Sequence, residues 1–279
     1  MQPYPFVNHN GINLSRDTAN ISVRNSAFRY GYGLFETMLV MDGVIQLKEL
    51  HWERLFEGLR LLKFQVTAHF TASFLEEESL KTIKRNKAEK ICRVRLQVYA
   101  NDEGLSPVFL IECFEIEKRM TELNEEGLVV GIAERIAKNA DATSHLKTTS
   151  YLPYFLAAKH AKEKGWDDAL VLNQHRRVIE STIANIFWIK DNVIYTPPIS
   201  EGCIAGVMRR HLLIELPRNG FKVSESILTD KILADADEVF ITNAIRKIKW
   251  VKRIEKNQFA NENVKLVNKL IFECLRNSF

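Results

Sequence analysis

The sequence has little of what marks a small secreted protein or a membrane protein. It contains 12 glycines and 7 prolines among 279 residues, which excludes collagen-like repeats and argues against disorder. Its four cysteines are far apart and form no C-x-x-C pair, so neither a zinc clip nor a disulfide framework is predicted; they are Cys92, Cys113, Cys203 and Cys274. The first residues show no basic stretch followed by an apolar one, as a secretory signal would, and no apolar run reaches about eighteen residues. We therefore expect a cytoplasmic protein without a membrane partner.

The sequence also has no large excess of charge of either sign. The 39 lysines and arginines nearly balance 35 aspartates and glutamates, and the net charge of +4 is scattered along the chain. The basic residues form no stripe with interleaved aromatics, so nucleic acid is not an expected partner. A hydrophobic share of 46% and a charged share of 27% are typical of a folded soluble protein. A small anion remains open as a ligand.

The pattern predicts an α/β protein of two lobes. Residues 1–118 form the smaller N-terminal domain, residues 119–127 a charged linker, and residues 128–279 the larger C-terminal domain. In the first domain a hairpin closes at Asp42-Gly43, a helix follows with leucines on one stripe, and ICRVRLQVYA alternates as a strand. In the second domain strands such as DDALVL and EVFITN interleave with helices, which favours a sheet partly covered by helices.

Lys147 is the first candidate for chemistry. It follows a strand-like stretch and precedes a helix, in SHLKTTSYLPY. Most lysines are solvated surface charges, and that interpretation stays open on local grounds. The alternative is an amine that forms a Schiff base, which requires a desolvated pocket.

Two further features suit an anion. Arg54 lies one helical turn beyond His51, and a guanidinium either pairs with a neighbouring glutamate or presents its fork of donors to a phosphate. In EGCIAGVMRRHLLIEL a glycine-flanked turn precedes a helix, whose first N–H groups at Val207 and Met208 suit an anion as well as an ordinary helix start.

Polar residues at strand ends complete the candidate set. Thr242 and Asn243 end a strand that we expect to be buried, where they form a turn or line a crevice. Glu180 interrupts the apolar passage RVIESTIANIFWI, either as a turn residue or as a carboxylate that holds a heteroaromatic nitrogen protonated. An amine, an anion cradle and a carboxylate are together the parts of a pyridoxal phosphate site.

The order of these segments resembles the fold-type IV pyridoxal phosphate enzymes, the class-IV aminotransferase family. The resemblance covers most of the chain and is carried by seven segments: YGYGLFET, HWERL, LKTTSYLP, GWDDALVLN, VIESTIANIF, TPPISEGCIAGVMR and TNAIRKIKWV. It implies a D-amino-acid aminotransferase-like fold with an α+β N-terminal lobe, a barrel-like α/β C-terminal lobe and pyridoxal 5'-phosphate between them. It also implies a homodimer and no metal.

The resemblance assigns roles residue by residue. Lys147 is similar to the lysine that binds the cofactor covalently and moves the proton, Tyr151 to the tyrosine near the phenolic oxygen, and Glu180 to the partner of the ring nitrogen. The remaining counterparts are the phosphate ligands Arg54, Val207, Met208 and Thr242, with Asn243 beside them, and the substrate-side strand residues Phe35 and Glu36.

The reaction depends on the branch of the family. YGYGLFETMLVMDG and RVRLQVYANDEGLSP resemble aminodeoxychorismate lyases more than the other branches, which implies pyruvate elimination to 4-aminobenzoate for folate synthesis. A branched-chain or D-amino-acid aminotransferase is the alternative, and a non-catalytic binding protein that retains the fold is the second alternative. The chain departs from the family's pattern at Tyr32, Leu39, Ser150 and Trp250. We expect Tyr32 and Leu39 near the substrate side, so substrate identity stays open.

Overall fold

The computed structural model describes residues 2–101 and 105–276, with side chains described up to residue 271 outside that gap; the side chain of Cys274 lies outside this set. The chain divides into two compact units, of which one comprises Met1–Met120 and Leu146–Tyr151 and the other Thr121–His145 and Leu152–Phe279. The break after Met120 falls inside the predicted linker. The sequence pattern assigns Lys147 to the C-terminal domain, whereas its backbone groups with the first unit.

The first unit is built on an antiparallel sheet. In chain order its elements are β1 Pro3–His9, β2 Ile12–Ser15, α1 Ser26–Tyr30, β3 Gly33–Met41, β4 Val44–Ile45, α2 Lys48–Leu61, α3 Ala72–Arg85, β5 Ile91–Ala100 and β6 Pro107–Phe114. The six strands lie in the order β2-β1-β6-β5-β3-β4. The predicted hairpin between β3 and β4 is present, and Asp42 and Gly43 both have positive φ values, 49° and 77°, as a tight two-residue turn requires.

One face of this sheet is the hydrophobic core of the unit. Along β5 the predicted alternation is confirmed, since Cys92, Val94, Leu96 and Val98 are fully buried while the intervening residues face the other way. Helix α2 packs against β3 at Gly58, where a Cβ atom would lie 2.7 Å from a methyl carbon of Leu34. The small residue therefore sets how closely the helix approaches the strand.

The second unit has a nine-stranded sheet. Its elements are β7 Leu128–Lys138, α4 Leu152–Lys164, β8 Asp168–Asn173, β9 Val178–Ser181, β10 Asn185–Lys190, β11 Val193–Thr196, α5 Val207–Arg218, β12 Lys222–Glu225, α6 Asp230–Ala234, β13 Glu238–Asn243, β14 Lys247–Ile254, β15 Asn257–Gln258 and α7 Glu262–Arg276. The strand order is β12-β11-β10-β13-β14-β7-β8-β9, and β9 also pairs with β10. That last pairing closes a ring of strands, so the expectation of a barrel-like sheet is confirmed.

The predicted linker is ordered by side-chain contacts. Within the second unit Asn124 exchanges hydrogen bonds with the backbone of Trp250 at 3.0 Å in both directions, and the Trp250 indole donates to the Asn124 carbonyl at 2.7 Å. Trp250 is one of the departures from the family's pattern, and its role here is to anchor this segment. Among the described residues no helix combines the length and apolar character that a membrane crossing needs.

Candidate active site

Lys147 is fixed by backbone hydrogen bonds to strand β3. Its carbonyl oxygen accepts from the Phe35 N–H at 2.9 Å, and two residues later the Thr149 N–H donates to Gly33 at 2.9 Å. The Thr149 hydroxyl adds a bond of 2.7 Å to the carbonyl of Gly31. The segment around Lys147 is thus paired with β3 through an isolated β-bridge between Thr148 and Leu34, which fixes the Lys147 backbone.

The Lys147 amine lies among aromatic rings. Its Nζ is 4.5 Å from the centroid of the Phe35 ring and 5.7 Å from that of Tyr151, and these two rings meet edge to face at 5.5 Å. Aromatic faces attract an ammonium and displace water from it. The structure therefore brings together three residues that the sequence predicts for one site, Lys147, Tyr151 and Phe35.

Phe35 and Glu36 point to opposite faces of β3, although the resemblance assigns both to the substrate side. Neighbouring residues of a strand alternate, and Glu36, which is 1% exposed, faces helix α2. There it accepts from Arg54, with Nε–Oε1 at 2.8 Å and Nη2–Oε2 at 2.5 Å, and from His51 Nδ1 at 2.6 Å. Arg54 and His51, one helical turn apart on α2, are thus joined through the carboxylate that both residues share.

This buried cluster has a defined charge distribution. Burial alone raises the pKa of Glu36, but the Arg54 guanidinium and His51 outweigh it and lower the pKa to about 2. Burial lowers the pKa of His51 despite the nearby carboxylate. A carboxylate only accepts, so Nδ1 carries the proton of the neutral imidazole. The other ring nitrogen, Nε2, is buried and has no hydrogen-bond partner among the described residues.

Two arginines on the sheet face of Phe35 were not predicted as site residues. The Cζ atom of Arg95 is 4.0 Å from the centroid of the Phe35 ring, and Arg93 lies two residues away along the same face. Burial lowers the pKa of both guanidiniums, and for Arg95 the neighbouring Arg93 adds to the effect. Their alternation along β5 is visible in the sequence, but the contact of Arg95 with Phe35 depends on the pairing of β3 with β5, and Arg93 lies over the ring of Phe114 instead.

In the second unit Glu180 is the centre of a buried polar network. Its Oε1 atom accepts from Tyr154 Oη at 2.6 Å and from Lys138 Nζ at 3.1 Å, and Lys138 Nζ is 2.5 Å from Tyr154 Oη. The Ile204 N–H lies 3.1 Å from Oε1 and 3.0 Å from Oε2. Asn185 Nδ2 is 3.5 Å from Oε2. Lys138 and Tyr154 were not predicted, since nothing in the local sequence of either points to Glu180.

The same network continues to the start of helix α5, where Val207 and Met208 are the first residues. Asn185 Nδ2 donates to the Ile204 carbonyl at 2.8 Å. The N-cap residue Gly206 supplies no side-chain cap, and a Cβ atom there would lie 1.9 Å from Asn185 Oδ1. The helix start is therefore held close to Asn185, with no side chain of the N-cap residue bonded to its first N–H groups.

Thr242 and Asn243 end strand β13, as predicted, and both are engaged in its turn. The Thr242 hydroxyl is buried and donates to the Lys247 carbonyl at 2.6 Å. Asn243 Oδ1 accepts from the N–H groups of Ile245 and Arg246 at 3.0 and 2.8 Å, and its Nδ2 donates to Ile183 at 3.1 Å. Asn243 thus shapes the loop, and Thr242 must rotate its hydroxyl to donate to an anion.

The departure at Tyr32 has a packing explanation. We expect it near the substrate side, but its ring stacks on Phe64 with centroids 5.0 Å apart and its hydroxyl donates to the Leu62 carbonyl. Tyr32 therefore ties the start of β3 to the end of α2. Leu39, the other departure in this strand, is fully buried.

Comparison with known proteins identifies the family. Residues 33–254 match the model of the amino-transferase class IV family, and the chain belongs to that family. The prediction from the seven segments is thereby confirmed.

Relatives within the family carry two activities in their names. An aminodeoxychorismate lyase of Vibrio harveyi is 28% identical over 233 residues, which are 81% of this chain and 84% of the relative. A putative branched-chain-amino-acid aminotransferase of Methanocaldococcus jannaschii is 28% identical over 270 residues, covering 95% of this chain and 93% of the relative.

The fold is shared with solved structures of the family. The branched-chain aminotransferase of the archaeon Thermoproteus uzoniensis, solved with norvaline, superposes with a TM-score of 0.86 at 22% identity, covering 98% of this chain and 95% of the other. At this identity the likeness establishes the fold, and it confirms the α/β fold class.

Proposed function

We propose that this protein is a pyridoxal phosphate-dependent enzyme in which Lys147 binds the cofactor covalently. The observation that carries the proposal is the position of its amine, 4.5 and 5.7 Å from the rings of Phe35 and Tyr151. Lys147 is half-buried and the two rings cover part of its surroundings, and a nucleophilic lysine requires a site where water is restricted. With the cofactor bound, the Lys147 amine would also be the group that moves the proton at the substrate's amino-bearing carbon.

In each unit, the residues that the resemblance assigns to the cofactor's phosphate have the chemistry to bind an anion. Arg54 is a largely buried guanidinium whose direction is fixed by Glu36, and a planar fork of donors suits a phosphate. At the start of α5 the N–H groups of Val207 and Met208 have no N-cap side chain, and Gly206 leaves no room for a Cβ atom. Such a helix start is a favourable anion site. Thr242 adds a hydroxyl.

Glu180 fits the cofactor's ring nitrogen. It is a buried carboxylate whose Oε1 atom is surrounded by donors, while Oε2 has fewer close partners. When bound, pyridoxal phosphate supplies an electron sink for the pair left on the substrate's amino-bearing carbon. Glu180 sustains that property because an anion beside the ring nitrogen favours its protonated form.

For the reaction we propose 4-amino-4-deoxychorismate lyase, which eliminates pyruvate and leaves 4-aminobenzoate. Support comes from the sequence segments around β3 and β5, which resemble those of the lyases, and from the lyase among the relatives. Arg95, which lies over the Phe35 ring, supplies positive charge for a substrate that carries carboxylates, and Arg93 lies two residues away on the same face of β5. A branched-chain aminotransferase is the second candidate, which the archaeal relative of equal identity favours.

A product assay separates the two candidates. The purified protein is incubated with aminodeoxychorismate alone, and pyruvate and 4-aminobenzoate are measured. The lyase releases both products without an acceptor acid, whereas an aminotransferase turns over an amino acid continuously only when a 2-oxo acid is present. Turnover of branched-chain amino acids together with no pyruvate release would reject the lyase.

We also propose that the protein is a homodimer. Helix α4 exposes Leu152 and Phe155 at 64% and 66%, together with Leu156, and these positions fall on one helical face. Exposed apolar faces of this kind mark protein contacts. Light scattering tests the proposal: we expect twice the chain mass for the unchanged protein and a lower mass for Phe155→Glu. The mass of a single chain for the unchanged protein would contradict it.

A further inference from the structure

Beside Glu180 lie two further residues, the buried Tyr154 and the partly buried Lys138. We propose that these two residues form a charge-positioning pair that keeps Glu180 ionised and thereby places the proton that it shares with the cofactor on the ring nitrogen. The inference rests on the proposed function for its cofactor partner. The network itself is a property of the chain, so it is testable with or without that cofactor.

The three groups form a directed chain of hydrogen bonds. Lys138 has only donors, so its ammonium donates to Tyr154 Oη at 2.5 Å and to Glu180 Oε1 at 3.1 Å. The Tyr154 hydroxyl accepts the first of these bonds and donates its own proton to Glu180 Oε1 at 2.6 Å. A phenol that accepts from a cation is a stronger donor, so each bond strengthens the next.

The two carboxylate oxygens of Glu180 differ in the number of donors that they receive. Oε1 receives Tyr154, Lys138 and one contact of the Ile204 N–H, whereas Oε2 has the Ile204 N–H at 3.0 Å and Asn185 at a long 3.5 Å. The acceptor capacity of Oε1 is therefore used by donors of the protein itself. Oε2 retains acceptor capacity for a ligand's N–H.

Burial strengthens the influence of the cation. Glu180 is 2% exposed, Tyr154 is 4% exposed, and the Lys138 side chain is 12% exposed. Burial raises the pKa of the adjacent Cys203 to about 12, and Glu180 contributes, so that thiol is neutral. Arg209, which also acts on Cys203, is engaged by Glu225 and the Pro197 carbonyl. Lys138 is thus the cation bonded directly to Glu180 among the described residues.

The charge of Lys138 shifts the shared proton in one direction, toward the ring nitrogen. A proton shared between a carboxylate and a ring nitrogen lies on the nitrogen in the charge-separated form and on the oxygen in the neutral form. Lys138 is in contact with the carboxylate and therefore stabilises its negative charge more than it destabilises a positive charge farther along the hydrogen bond. The pair consequently favours the protonated ring, which is the form that withdraws electrons.

The experiment compares variants by two magnetic-resonance readouts that are independent of turnover. In the cofactor-free protein, labelled with ¹³C at glutamate carboxyl carbons, the Glu180 signal is assigned by its loss in Glu180→Gln. With ¹⁵N-labelled pyridoxal phosphate bound, the ring-nitrogen shift reports its protonation. The variants are Lys138→Met, Lys138→Arg and Tyr154→Phe, and the matched control is Lys190→Met, which removes a surface ion pair with Asp237.

We expect Lys138→Met to move the Glu180 carbon signal toward that of a neutral acid and the ring nitrogen toward its unprotonated shift. Tyr154→Phe should give a smaller change of the same sign, Lys138→Arg should restore both signals, and the control should change neither. If both signals stay unchanged in either Tyr154→Phe or Lys138→Met, the proposal of an acting pair is wrong. Tyr154→Phe keeps the ion pair and the ring packing, so it decides the question even if Lys138→Met does not fold.

Failure of the proposed function has a different signature. If the unchanged protein binds no pyridoxal phosphate, the carbon signal of Glu180 in the cofactor-free variants still reports on the pair. A carbon signal that moves as expected then supports the action of the pair on Glu180, and one that stays in place rejects it.

Discussion

Arg54 and Glu36 form a bidentate ion pair on the helix side of strand β3. Arg54 Nε lies 2.8 Å from Oε1 and Nη2 lies 2.5 Å from Oε2, and the Glu36 side chain is 2% exposed. Two parallel hydrogen bonds fix the plane of the guanidinium as well as its position. Arg54, which we propose binds the cofactor's phosphate, is therefore oriented by Glu36, which the resemblance places on the substrate side.

The first prediction concerns the orientation of Arg54 by Glu36. Glu36→Gln keeps the side-chain shape but replaces a charged bidentate acceptor with an amide, so Arg54 and His51 lose their shared anion. We expect the affinity for pyridoxal phosphate to fall about tenfold or more, in line with the loss of a charge-assisted hydrogen bond. Equilibrium dialysis measures the change. Glu76→Gln, which breaks the surface pair with Lys48, serves as the control, and an equal loss in both variants would contradict the assignment.

The second prediction is the pH dependence of stability. The pKa of Glu36 is about 2 in the folded chain against an ordinary value of 4.5, so its contribution is complete above pH 4.5 and is lost as the pH falls toward 2. The difference corresponds to a free energy on the order of 3 kcal/mol. His51 acts in the same direction from about pH 6.5 downward, because burial lowers its pKa and the unfolded chain binds the proton first.

Urea unfolding at a series of pH values measures this dependence. The unchanged protein should lose stability steadily across the acidic range, and Glu36→Gln should show a flatter profile below pH 4.5 from a lower starting value. Parallel profiles for the two proteins would show that Glu36 is not the group responsible.

The third prediction concerns the start of helix α5. Gly206→Ala places a methyl group where Asn185 Oδ1 now lies, 1.9 Å from the ideal Cβ position. Either the Asn185 side chain or the loop must shift, and we expect the free energy of unfolding to fall by roughly 1–3 kcal/mol, as for other overpacked sites. Because the same loop carries the Ile204 N–H bonded to Glu180, cofactor affinity should fall as well. Unfolding and binding curves equal to those of the unchanged protein would refute the close approach.

The fourth prediction concerns the predicted linker. Asn124→Ala removes the side-chain hydrogen bonds to the Trp250 backbone, at 3.0 Å each. We expect a loss of about 1–2 kcal/mol in the free energy of unfolding with little change in cofactor affinity. Thermal unfolding and dialysis report the two quantities separately. A variant with unchanged stability would mean that these bonds contribute nothing to the fold.

Sequence patterns predict the elements that have a strong local period. The alternation in ICRVRLQVYA corresponds to β5 over Ile91–Ala100, and the leucine stripe to α2 over Lys48–Leu61. Short strands such as Val193–Thr196 and Lys222–Glu225 were not predicted, because runs of four residues carry little periodicity and form where neighbouring strands offer hydrogen bonds.

The candidate site could be proposed from the sequence only where residue type and local motif agreed, and its residue roles stay predictions. Lys147, Tyr151 and Glu180 followed from their segments. Lys138 and Tyr154 did not, because they meet Glu180 through strand pairing and helix packing over separations of 42 and 26 residues. The opposite orientation of Phe35 and Glu36 was in principle available from strand alternation. The assignment of Lys147 to the first unit depends on its backbone bonds to β3, which no local pattern encodes.

The central claim is that Lys147 binds pyridoxal phosphate covalently. The direct measurement is borohydride reduction of the protein loaded with the cofactor, followed by peptide mass spectrometry, with Lys147→Ala treated in parallel. We predict one reduced cofactor adduct, located on Lys147, and no adduct at any position in the variant. An adduct on another lysine, or equal labelling of Lys147→Ala, would contradict the claim.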